Sequence, residues 1–111
     1  ETVPEPHRLA LLAARGGTAA TRITRAFSGR EARGIVNTYM QAMQPLEARL
    51  PPYPILNALT GPLRKAAAEA GDAQYLSLWA GQGVPLARPL PAAQLIGRLV
   101  AELQQTRERL A

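Results

Sequence analysis

Side chains able to do chemistry are few along these 111 residues. Tyr53 stands between Pro52 and Pro54, so its phenol rides on stiff backbone. A phenol held that way loses little entropy on meeting a ligand. It serves equally well as an aromatic plug in a core short of aromatics. Gly81-Gln82-Gly83 suits a tight turn whose N–H groups and Gln82 amide approach a ligand, or an ordinary reversal of the chain. Arg25, Arg30 and Arg33 can converge on an anion at a helix N-terminus, or form solvated pairs with Glu31 or Glu47. His7 is the single histidine and reads as a surface residue on the first turn of a helix. With no cysteine and one histidine, thiolate metal sites, two-histidine zinc motifs and disulfide frameworks are excluded. No serine stands in a nucleophile motif, and no GxGxxG or P-loop is present. The carboxylates read as caps or solvated helix positions rather than an acid/base pair.

The elements that must position these groups follow from periodicity and punctuation. The spacing predicts a first helix over residues 4–15, with Thr2 and Glu5 as a capping box and Gly16-Gly17 as its stop. Residues 21–27 carry β-branched Thr21, Ile23 and Thr24 and read as a short strand. Ser28 and Glu31 look like a second capping box, opening a helix over residues 29–44 with Ile35, Tyr39 and Met43 on its stripe. Gly34 inside that helix marks close approach to another backbone. Pro45 stops it, and residues 50–54 read as extended. Thr60 then caps a third helix that holds Pro62 in its first turn and ends at Gly71. Asp72 caps one short turn. A last helix over residues 91–110 carries Leu95, Ile96, Leu99, Val100 and Leu103 on one face. The fold class is therefore mainly α: four helices with one or two short extended segments.

Composition bounds the class. Apolar residues make up 47 %, yet only 31 residues are larger than alanine among them, so the core is thin for one domain. The formal net charge is +5, but the basic residues are dispersed arginines, with Lys65 the only lysine. That pattern does not favour a nucleic-acid surface. No apolar run approaches the ~18 residues of a membrane span. No charged n-region leads into an apolar h-region, so the expectation is a cytoplasmic protein. The chain starts at Glu1, which reads as a start inside a longer polypeptide.

Three ordered segments carry a family resemblance: residues 23–34 (ITRAFSGREARG), 52–60 (PYPILNALT) and 77–83 (SLWAGQG). Together they resemble the C-terminal third of nitronate monooxygenases, formerly called 2-nitropropane dioxygenases. Glu31 departs from the family, which commonly has proline there. The resemblance implies a (β/α)₈ barrel that holds FMN at the C-terminal ends of its strands. A helical substrate domain covers that site. It also implies oxidation of alkyl nitronates with O₂ to carbonyl compounds and nitrite. On this reading residues 1–15 form a post-barrel helix and residues 16–72 the substrate-domain portion. Residues 73–111 form an active-site rim loop and a terminal barrel helix. Tyr53 and Asn57 line the substrate space, while Trp79, Gly81 and Gln82 support the rim. The catalytic histidine and the main flavin-phosphate loops lie upstream; His7 does not match that histidine, and this segment holds no catalytic residue and no metal. The implied partners are a nitronate, O₂ and the barrel portion of the parent chain. Another flavin barrel reductase, such as an enoyl-carrier-protein reductase, shares the barrel without favouring these segments. A small basic helical binding module is the alternative from a different class.

Overall fold

A β-hairpin stands where the sequence pattern predicts the start of a long helix. The computed structural model describes residues 3–17 and 20–111. In it β1 (Thr21–Thr24) pairs antiparallel with β2 (Ala32–Ile35), Thr21 facing Ile35 and Thr24 facing Ala32. The Ser28/Glu31 capping box is not formed; the Ser28 hydroxyl instead accepts from the Arg30 N–H at 3.2 Å, inside the hairpin turn. Gly34 explains why extended structure wins. A Cβ there would lie 3.1 Å from the Leu78 carbonyl oxygen and 3.3 Å from the Trp79 ring. Trp79 bridges to Gly34, the Ile35 N–H donates to Leu78 O at 2.9 Å, and the Ala80 N–H donates to Arg33 O at 3.1 Å. The expected close approach at Gly34 is therefore real, but it lies on a strand edge.

The helical remainder of that segment is α2 (Thr38–Met43). Asn37 caps it, accepting from the Met40 N–H at 3.1 Å. Its amide nitrogen donates to the carbonyls of Ala73 and Leu76, at 3.1 and 2.7 Å. The α-helix stops at Met43, just before Pro45 as expected, and Pro45 enters the first turn of a 3₁₀ stretch, Gln44–Arg49. Residues 50–54 are extended only as far as Pro52. A turn follows at the cis Tyr53–Pro54 peptide, and Pro52 O accepts from the N–H groups of Ile55 and Leu56.

Here α3 (Ile55–Ala70) begins, before Thr60 rather than at it. Thr60 is buried mid-helix, and its hydroxyl donates to the Phe27 carbonyl at 2.5 Å. Pro62 accordingly lies inside the helix. The predicted stop at Gly71 holds, with φ at +69°. Asp72 caps the turn Ala73–Tyr75 as expected, accepting from the Gln74 N–H. At the start of the chain α1 (Glu5–Ala13) ends before Gly16 and Gly17, both at positive φ. The capping role expected of Thr2 lies outside the described residues, and Glu5 pairs with Arg8 at 2.6 Å.

Two small apolar clusters hold these pieces. Ala14, Ile35, Ala67, Leu76, Leu78 and Val84 form one; Ala26, Phe27, Tyr39 and Met40 form the other. The expected last helix, α4 (Ala92–Leu110), has no buried residue. It contributes to overall extents of 52 × 29 × 25 Å, and Arg88 ties it to the preceding loop through a two-pronged pair with Glu102 at 2.7 and 2.8 Å. Among the described residues no helix is long and apolar enough to cross a membrane.

Candidate functional site

The hairpin turn is built around Phe27, which is 1 % exposed. Its ring lies 4.6 Å from Tyr39 and meets Trp79 edge-on at 5.5 Å. Burial raises the Tyr39 hydroxyl above the ordinary tyrosine range, the positive Arg64 working weakly against it. That hydroxyl donates to the Ala26 carbonyl at 2.9 Å. The Phe27 side chain thus grips Trp79, while its backbone carbonyl grips α3 through Thr60.

Two residues further on, Gly29 has φ at +90° and presses on the proline-rich segment. A Cβ there would stand 2.3 Å from the Tyr53 nitrogen and 2.6 Å from the Pro52 carbonyl carbon, so only glycine fits. Tyr53 is half-exposed at this junction. The Arg30 guanidinium lies over its ring, 5.2 Å from the centroid. Just beyond, Asn57 is half-buried in the first turns of α3. Arg64 donates to its side-chain oxygen at 2.9 Å and to its backbone oxygen at 2.8 Å. With that oxygen occupied, the Asn57 Nδ2 group is the end of the amide left to donate elsewhere.

Among the sequence-selected residues, Tyr53 and Asn57 therefore share one edge of the molecule, and Trp79 reaches it through Phe27. Trp79 is half-buried, and His7 Nε2 contacts its carbonyl at 3.2 Å. His7 is therefore half-buried and engaged, not the plain surface residue expected, because α1 brings its ring to the Trp79 carbonyl. Gly81 and Gln82 are exposed in a turn closed by Val84 N–H on Gly81 O at 3.1 Å. No hydrogen bond among the described residues ties them to Tyr53. The anion cluster imagined for Arg25, Arg30 and Arg33 is not formed. Arg25 donates to the carbonyls of Glu47 and Leu50, and Arg33 to Thr21.

Arg64 and Asn37 escape a reading of motifs. The spacing of Arg64 from Asn57, two helical turns on one face, is the only signal for it. A groove of about 490 Å³ lined by Pro6, Ala10, Val36 and Gln74 among others contains none of the candidate residues. No metal-binding cluster is present among the described residues.

The three segments that meet at Phe27 and Gly29 are those that carry the resemblance. A family model described as nitronate monooxygenase matches residues 2–102. The chain belongs to the nitronate monooxygenase family.

Relatives named "Probable nitronate monooxygenase" from Staphylococcus aureus strains Newman and MSSA476 are 42 % and 41 % identical over 85 residues. Each alignment covers 77 % of this chain and 24 % of the relative, so the chain spans about a quarter of their length. A solved structure of nitroalkane oxidase from Streptomyces ansochromogenes is 49 % identical and superposes with a TM-score of 0.86. It accounts for 98 % of this chain, which covers 30 % of that one. In the turn at residues 81–83 the Val84 N–H is spent on Gly81 O, and Gly81 and Gly83 border open space.

Proposed function

We propose that this chain is the C-terminal, substrate-facing segment of an FMN-dependent nitronate monooxygenase that oxidises alkyl nitronates with O₂ to carbonyl compounds and nitrite. Residues 1–15 follow the barrel, residues 16–72 belong to the substrate domain, and residues 73–111 supply the rim and a terminal outer helix. The barrel portion of the parent chain holds FMN and the main catalytic base. Tyr53 and Asn57 face the substrate, and Trp79, Gly81 and Gln82 support the rim.

Family membership supports this reading, and one observation carries it. The hairpin turn, the proline-rich segment and the segment around the Trp79 bridge pack into one unit, with the Tyr53 ring half-exposed where they join. A phenol O–H and the Nδ2 donors of Asn57 complement the oxygens of a nitronate. Neither side chain needs to titrate, so both act by binding and orienting. The test is direct: the flavoenzyme containing this segment, given ethyl nitronate in air, should release nitrite and acetaldehyde while consuming O₂. Absence of nitrite from that preparation refutes the reading.

A further inference from the structure

Four arginines around the candidate edge have their charge engaged by neutral oxygens of the fold. Arg22 donates to Met40 O and the Gln44 side chain, Arg25 to Glu47 O and Leu50 O, Arg33 to Thr21, and Arg64 to Asn57. Arg30 differs. Its side chain is exposed and rests on the Tyr53 ring, and its guanidinium makes neither a hydrogen bond nor an ion pair among the described residues. Its backbone is nonetheless well fixed. The Arg30 N–H donates to Ser28 Oγ, and Gly29 is clamped against the Pro52–Tyr53 peptide. The guanidinium is therefore carried beside the Tyr53 phenol on a rigid base.

We infer that Arg30 is the specificity-determining residue that makes this site prefer a nitronate anion over the neutral nitroalkane from which it forms. The inference rests on the proposed function, in which Tyr53 faces substrate. A nitronate spreads a full negative charge over two coplanar oxygens, a shape that the planar guanidinium fork matches. The parent nitroalkane has the same heavy atoms but no net charge, so a fixed cation distinguishes the two where shape cannot. Tyr53 contributes to both: its ring holds the cation, and its hydroxyl donates to either substrate. The relatives' names cover both substrate forms, nitronate and nitroalkane, so the preference of this chain is a separate question from its family.

The experiment compares the intact flavoenzyme with its Arg30→Gln and Arg30→Lys variants. Freshly prepared ethyl nitronate and neutral nitroethane are assayed at one pH and several salt concentrations. Arg30→Gln should raise KM for the nitronate about tenfold while kcat changes by less than about twofold, and the neutral substrate should lose no more than about twofold in kcat/KM. Added salt should raise the nitronate KM of the unmodified enzyme and leave that of Arg30→Gln nearly flat. Arg30→Lys should recover part of the nitronate KM, and inhibition by nitrate, a planar anion, should weaken in Arg30→Gln. Equal losses on both substrates, an unchanged nitronate KM, or undiminished salt dependence in Arg30→Gln would each overturn the assignment. An unmodified enzyme that releases nitrite from neither substrate removes the nitronate reading itself, and this inference with it.

Discussion

Tyr53 joins two properties that rarely coincide: its backbone is locked by neighbouring prolines and by Gly29, while its ring is half-exposed. Locking without burial suits a binding group better than a packing group. Removing the hydroxyl in Tyr53→Phe should therefore lower nitronate turnover in the whole flavoenzyme and leave the flavin bound. A hydrogen bond to a charged group is worth ~1.5–3 kcal/mol, or roughly 10- to 150-fold. Unchanged steady-state kinetics would reduce Tyr53 to a packing residue. The clamp itself is open to a second test. Gly29→Ala forces a side chain into positive φ and onto the Tyr53 nitrogen, at a cost of at least ~2 kcal/mol. We expect a lower melting temperature and a raised nitronate KM, whereas Ser28→Ala, which removes only the acceptor of the Arg30 N–H, should lower the melting temperature far less. The stiffness around Tyr53 was legible because it is local, with proline on both sides; Gly29 was read only as part of a capping box, and its contact with the Tyr53 nitrogen is a long-range one that no local pattern marks. The Arg64–Asn57 pair was legible only as a spacing, since nothing in a sequence says which way a helix face turns. The half-burial of His7 had no signal at all.

Elements show a similar division. The stops at Gly16-Gly17 and Gly71 and the cap at Asp72 were read correctly because each is settled within a few residues of backbone. The helix predicted over residues 29–44 failed for a non-local reason. Ile35, Tyr39 and Met43 do fall at helical spacing, but the chain from Ala32 to Ile35 finds backbone partners in Thr21–Thr24 and in the isolated bridge at Leu78–Trp79. Those partners outcompete an internal helix whose second turn would carry Gly34. Thr60 misled in the same manner, since its hydroxyl caps nothing and instead reaches the Phe27 carbonyl. Tyr39 then supplies a pH test of how firmly α2 is seated. Burial raises its hydroxyl above the ordinary value, so the folded form keeps a proton that the unfolded chain releases. This contribution is complete below the ordinary tyrosine value of ~10 and is lost as pH rises beyond it. Denaturant midpoints measured from pH 8 upward should fall more steeply for the unmodified protein than for Tyr39→Phe. The variant should be less stable by ~1 kcal/mol near neutrality, having lost the bond to Ala26 O. Parallel pH profiles would show that the hydroxyl is not seated as described.

At the scale of the whole molecule the unresolved balance is α4. It is nineteen residues long with none buried, yet Ile96, Leu99, Val100 and Leu103 form one exposed stripe. Covering large apolar side chains stabilises by ~1.5–3 kcal/mol each, so such a stripe on a free surface is a liability unless something packs on it. The proposed occupant is the barrel portion of the parent enzyme, against which α4 would lie as an outer helix. Expressed alone, the chain should therefore self-associate through this face or fold only marginally, and it should be colourless on the proposal that the barrel portion of the parent chain holds FMN. Sedimentation velocity across a concentration series tests the first expectation, and the visible absorption spectrum tests the second. Leu99→Glu with Leu103→Glu should convert the isolated chain to monomers, since glutamate breaks the stripe while keeping helix propensity. In the intact enzyme the same pair of substitutions should act in the opposite sense, loosening the docked helix and lowering thermal stability. A concentration-independent monomer for the unmodified chain, with a cooperative melt, would mean that the stripe needs no partner. The Arg88–Glu102 pair would then be the main anchor of α4, a weak one given that both side chains are substantially exposed.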